Sequence, residues 1–293
     1  MTATMESDLE LPGALDDLCR TVFRSVARSD QRRWAAAYVR GLVHVPGRKS
    51  VRRISEHVAG ASTEQCLQQF VNQSPWHWAP VRQMLGWTAE SVVAPRAWVV
   101  QEIEFPKRGS YSVGVATQYV PGARRTFNCQ LGMAVWLAGA TGSVPVNWRL
   151  MLPPAWDADH PRRRLARLPD DERHRVPWEH IMSCIDEMIE SWDLTPRPVV
   201  ADRWHDHQVE PLVHGLEERG LRYAIRISGR TPVSRERGPA QPIRAGNLIR
   251  SSAAHRLIVL PERSPTGARI TTGGSPLMAH AVVPPGSAAR PAG

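Results

Sequence analysis

AWVVQEIEFPKRGSYSVGVATQYV, residues 97–120, decides the fold. AWVVQEI (97–103) is short, apolar and valine-rich, which predicts a strand. YSVGVATQYV (111–120) and TFNCQLGMAVWLA (126–138) predict two more, joined by the turn PGARR. Upstream, residues 13–93 have helical spacing instead. Leu18, Val22, Phe23 and Val26 recur along one face, and Ser29 and Asp30 are placed to cap a second helix carrying Trp34, Tyr38 and Leu42. VRRISEHVAG, STEQCLQQFVNQS and VRQMLGWTAESVVA each predict a further amphipathic helix. The period changes at Pro95.

Downstream, residues 139–176 are rich in Pro and Arg and predict a long loop. WEHIMSCIDEMIESW (178–192) predicts a helix, and PVVAD (198–202) a short buried strand ending in an acid. HQVEPLVHGLEERG predicts a helix closed by Gly220, and LRYAIRIS a last strand. The expected fold class is therefore α/β: an RNase H-like mixed sheet, with three antiparallel strands followed by parallel ones, preceded by a helical N-terminal region. The expected domains are a helical, DNA-binding region over 13–94, the α/β domain over 95–262, and a tail over 263–293. That tail has no Asp or Glu and is expected to be poorly ordered.

Composition narrows the function classes. No eighteen-residue apolar run occurs, and the start MTATMESDLELPGALDD is acidic, unlike a secretory signal. Cys19, Cys66, Cys129 and Cys184 form no CxxC pair, which argues against a zinc ribbon or a disulfide framework. A reduced, cytoplasmic protein is expected. The net charge of +9 favours polyanionic partners, DNA or RNA first. Only Lys49 and Lys107 are lysines, and arginine suits bidentate phosphate contacts.

Two predicted strands end in acids, Glu102 in WVVQEIEFPK and Asp202 in PVVAD. Carboxylates at neighbouring strand ends can hold hard divalent cations for phosphoryl transfer. A rival transition-metal reading is offered by His205, Asp206 and His207. Lys107, Arg108, Arg124, Arg125, Arg162, Arg163 and Arg164 are candidate phosphate contacts. Trp76, Trp78, Trp136 and Trp148 are most simply core residues.

Several motifs in collinear order carry a resemblance. They are Val99-Val100-Gln101-Glu102-Ile103-Glu104-Phe105-Pro106-Lys107-Arg108-Gly109, Ser112-Val113-Gly114-Val115-Ala116-Thr117-Gln118-Tyr119, Asn128-Cys129-Gln130-Leu131-Gly132, and Trp148-Arg149-Leu150-Met151-Leu152-Pro153. Val199-Val200-Ala201-Asp202 and Leu216-Glu217-Glu218-Arg219-Gly220-Leu221-Arg222-Tyr223 complete the set. Over about residues 18–230 the chain resembles the IS701-like DDE transposases. The resemblance implies cut-and-paste transposition at element ends on duplex DNA, with Mg²⁺ or Mn²⁺ held by Glu102 and Asp202; a homodimer is compatible with it. It also implies impairment. The family's paired Asp-Asp is here Gln101-Glu102, its late-helix Glu has no counterpart before the chain ends, and Arg203-Trp204-His205-Asp206 replaces small residues. The alternative expectation is a non-catalytic regulatory or interaction protein on the same fold.

Overall fold

The computed structural model describes residues 11–58, 63–120, 123–201, 206–233, 243–245, 247 and 280–281. The expected tail at 263–293, apart from residues 280–281, lies outside the described residues, as does LIRSSAAHRLIVLP (248–261), whose composition allows one or two further strands. The chain divides into two compact units, Met1–Val92 and Val93–Gly293.

The first unit is helical: α1 (Leu11–Val22), α2 (Ser29–His44), α3 (Val51–Val58), α4 (Glu64–Gln73) and α5 (Trp78–Val93). Its core gathers Val45, Ile54 and Leu67, with Trp34, Tyr38, Val51 and Val58 packed around them. The expected cap is corrected. Arg28 occupies the N-cap of α2 without a side-chain cap bond, and Asp30 in the first turn instead accepts from Arg28. Gly41 marks the closest approach of α2 to α3, where an added Cβ would lie 2.2 Å from Ile54 Cγ2.

The second unit is a mixed α/β layer. Its strands are β1 (Ala97–Pro106), β2 (Ala116–Val120), β3 (Arg125–Ala138), β4 (Ser143–Met151), β5 (Val199–Ala201), β6 (Tyr223–Arg226) and the short β7 (Pro232–Val233), β8 (Ile243–Arg244) and β9 (His280–Ala281). Its helices are α6 (Ala155–Ala158), α7 (His160–Leu165), α8 (Pro177–Asp186), which continues as a π-helical turn over Glu187–Ser191, and α9 (Asp206–Glu218). The main sheet runs β2-β3-β1-β5-β6-β9, with β4 also paired to β3, while β7 and β8 pair separately. The β1–β3, β2–β3, β3–β4 and β6–β9 pairs are antiparallel, and β1–β5 and β5–β6 are parallel.

Two expectations are corrected. Residues 139–176 are not one long loop but hold β4, α6 and α7. Four strands rather than three therefore precede α8. Pro145 disguised β4: it sits in an edge strand beside a register shift at Val135/Trp136, where a missing N–H is tolerated. The second strand begins at Ala116 rather than Tyr111, because Gly114 at φ +75° takes the chain out of extended geometry.

Residues opposite one another in a ladder share a face. One face therefore carries Trp98, Val100, Glu102 and Glu104 of β1 with Leu137, Val135, Met133 and Leu131 of β3. α8 packs on β3 and β4 on this side, and α9 lies beside α8 over β6. Arg219 ties the two helices, donating to both carboxylate oxygens of Asp186 at 2.5 and 2.6 Å. Gly220, at φ +63°, closes α9 as its position predicts. Trp98, Trp156 and Trp192 are core tryptophans, whereas Trp78 and Trp148 are exposed, contrary to expectation, and Trp76 and Trp136 are half-buried.

Gly41→Ala tests the α2–α3 contact. Alanine is the better helix former by about 1 kcal/mol, but a clash with a fully buried β-branched side chain costs about 1–3 kcal/mol. Net destabilisation is expected in urea unfolding of the variant; a gain in stability would show that α3 gives way freely.

Candidate active site

β1 and β5 lie side by side in parallel, with Val100 opposite Ala201. Asp202 is the next residue after β5 and lies outside the described residues, as does His205; the side chains of Asp206 and His207 are likewise not described. The geometry at this end of the sheet therefore rests on Glu102.

Trp98 and Val100 are buried, Glu102 is half-buried and Glu104 is exposed, so the inner face of β1 opens toward its C-terminal end. Burial, and then the neighbouring Glu104 carboxylate, push the Glu102 carboxyl above its usual range. Glu102 has no hydrogen-bond or ion-pair partner among the described residues. Gln101 is exposed on the opposite face, as strand alternation requires, and cannot join it.

The cross-strand row through Glu102 continues to Met133 and then Arg149 of β4. Arg149 is engaged elsewhere. It donates to Glu187 Oε2 at 2.7 Å and to Asn147 Oδ1 at 2.9 Å, while Asn147 donates to the same Glu187 oxygen at 2.9 Å and to the Cys184 carbonyl at 3.1 Å. This partly buried network joins β4 to the π-helical turn. Sequence reading missed it because 139–176 read as loop. Its signal was the alternation in Asn147-Trp148-Arg149-Leu150, where the polar pair faces inward and the apolar pair outward.

A half-buried carboxylate with no counter-ion suits a hard cation, which takes oxygen ligands. Among the described residues, no three His, Cys, Asp or Glu side chains converge on one point.

The basic residues divide in two. Lys107, Arg108, Arg124, Arg125 and Arg164 are exposed. Arg162 and Arg163 are not the free phosphate contacts expected. Arg162 lies 3.8 Å over the Trp156 ring and donates to the Ser110 and Val115 carbonyls. Arg163 is 3% exposed and donates to the Pro169 and Glu172 carbonyls at 2.8 and 2.7 Å, with Asp157 at 3.5 Å. A helix of six residues turns adjacent side chains in different directions, so one of three consecutive arginines is carried inward.

His180 of α8 is buried, with Nε2 unpartnered among the described residues. Burial first, then Arg175, Arg149 and His174, push its pKa down to about 4. The unfolded chain therefore takes up this proton first as pH falls. The stability held by neutral His180 is intact above about 6.5 and is lost between there and about 4, amounting to roughly 3 kcal/mol at most. Urea unfolding across that window should show this slope, and His180→Leu should flatten it. An unchanged slope in the variant would assign the acid sensitivity to other groups.

No curated protein matches this chain. No helix among the described residues is long and apolar enough to cross a membrane. The sequence profile described as DDE superfamily endonuclease matches residues 21–254, spanning α2 to α9, strands β1 to β8 with Glu102, and the position of Asp202, and the chain belongs to that family.

Proposed function

We propose that this protein is an IS701-like transposase relative with an RNase H-like domain, which binds duplex DNA at element ends but cleaves and joins it weakly. The observation that carries the reading is the parallel pairing of β1 with β5. It brings the strand of Glu102 beside the strand that leads into Asp202. The helical region over 13–94 is assigned a share of the DNA contact, and the domain over 95–262 the chemistry.

Glu102 and Asp202 are the residues that would hold Mg²⁺ or Mn²⁺. Such an ion, when bound, activates water or a 3′-hydroxyl and stabilises the leaving oxygen of an in-line displacement. The chain's own part is to present carboxylate oxygens from adjacent strands on a rigid floor of Trp98, Val100 and Met133. Lys107, Arg108, Arg124, Arg125 and Arg164 are the exposed cations assigned to phosphates.

Weak catalysis follows from the residues at the end of β1. Glu102 is one methylene longer than the aspartate the family carries there. That displaces its carboxylate by roughly 1 Å, and an error of that size costs about a hundredfold in rate. Gln101 faces away, and Glu104 adds a like charge on the same face.

Binding and cutting are separable by experiment. Affinity for a duplex should fall by about a thousandfold or more between 50 and 200 mM salt if six or more phosphates are contacted. Lys107→Ala and Arg108→Ala should each reduce the salt slope by about 1. Fluorescence anisotropy showing no binding at about 50 mM salt would remove the DNA role. With Mg²⁺ or Mn²⁺, a plasmid-nicking assay should show little cleavage; efficient cleavage abolished by Asp202→Ala would overturn the impairment.

A further inference from the structure

The segment 107–115, between β1 and β2, is a surface loop whose backbone carbonyls are held by side chains of other elements. Asn128 Nδ2 donates to the carbonyls of Lys107 and Gly109 at 3.0 and 2.9 Å, and the Lys107 amide donates to the Asn128 carbonyl at 3.0 Å. Gln130 Nε2 donates to the Val113 carbonyl at 2.6 Å. Arg162 reaches the Ser110 and Val115 carbonyls, and Trp156 Nε1 donates to Val115 at 3.2 Å. At the loop's return, Gly114 passes so close to β4 that an added Cβ would lie 3.0 Å from the Met151 carbonyl.

The side chains of the same loop are left outside. Lys107, Arg108 and Ser110 are exposed, and Tyr111 is 85% exposed, the most open of the large hydrophobic side chains described. A loop with a fixed backbone and free side chains meets a ligand with little ordering cost, which is the general advantage of preorganisation. The charge surroundings name the ligand class. The loop and the two residues before it, 105–115, carry Lys107 and Arg108 and no Asp or Glu. Two cations followed by an open aromatic ring suit a polyanion with flat π-faces.

We propose that loop 107–115 is a preformed nucleic-acid finger in which Tyr111 stacks on an unpaired base while Lys107 and Arg108 take adjoining phosphates. Asn128, Gln130 and Arg162 are positioning residues that act through the loop backbone. The proposal rests on the DNA-binding reading above and deepens it: to the phosphate contacts of Lys107 and Arg108 the finger adds a grip on strand ends or frayed nucleotides.

The test uses the full chain and two fluorescent probes, a blunt hairpin duplex and the same duplex with a short single-stranded thymidine extension. Stacking of one base is worth about 1–3 kcal/mol, so the extended probe should bind at least about fivefold more tightly. Tyr111→Ala should erase that preference and leave blunt-duplex affinity within about twofold, while Tyr111→Phe should keep it. Asn128→Ala should weaken the preference without changing the salt slope and should speed amide hydrogen exchange across 107–115. Equal affinity of the wild-type chain for both probes, or an equal loss on both in Tyr111→Ala, would overturn the finger while leaving duplex binding intact. Failure of both probes to bind at low salt would overturn the DNA reading together with it.

Discussion

The antiparallel ladder between β1 and β3 runs through ten consecutive residue pairs, from Ala97 opposite Ala138 to Pro106 opposite Cys129. The rest of the second unit is registered through it. On one edge β1 hands the register to β5 and β6; on the other, β3 holds β2 along its first part and β4 along its second. The inward residues of this ladder, Trp98, Val100, Met133, Val135 and Leu137, are all at most 1% exposed. Each such side chain is worth about 1.5–3 kcal/mol of burial. A slip of β1 by one residue would turn Trp98 and Val100 outward and bring Gln101 to the helix-covered face in place of Glu102. The position of Glu102 is therefore set by hydrophobic packing rather than by polar contacts of its own.

Much of this was legible in the chain. The valine-rich run at 97–103, the long apolar run at 126–138 and the buried-type PVVAD each correspond to strands, and helices do precede the sheet. What failed did so for local reasons. β4 was hidden because its inward face is polar, with Asn147 and Arg149 satisfied by Glu187 from a distant helix, and periodicity cannot see a partner forty residues away. The Ser-Val-Gly-Val run at 112–115 has strand-like composition, yet contacts from Gln130, Trp156 and Arg162 hold it as a loop. At the site, Glu102 was legible as an acid on a strand, but its half-buried, partnerless state depends on tertiary packing. The same packing decides which arginines reach solvent.

That division bears on how the charge of +9 is read. Arg149, Arg162, Arg163 and Arg219 bind internal carbonyls, carboxylates and a ring, and so act as braces between elements. Guanidinium is suited to this because its planar fork of donors can satisfy several acceptors at once, which an ammonium on a flexible stem does less well. The acids are divided too. Glu102 and Glu104 of β1 lie on the helix-covered face, and Gln101 is the only polar side chain of that strand on the other.

The pairing of β3 with two separate strands along one edge also affects how copies of the chain can meet. A long, straight outer strand offers a row of free amides and carbonyls to any neighbour, a common start for edge-to-edge aggregation. Here that border is shared between a five-residue strand and a nine-residue one, and the longer contains Pro145 beside a register shift. The interruption removes a donor and bends the border where a foreign strand would have to continue its ladder. Self-association through this border is disfavoured by the backbone itself, so contact between copies along it would fall to side chains, which can be selective where a bare strand edge cannot.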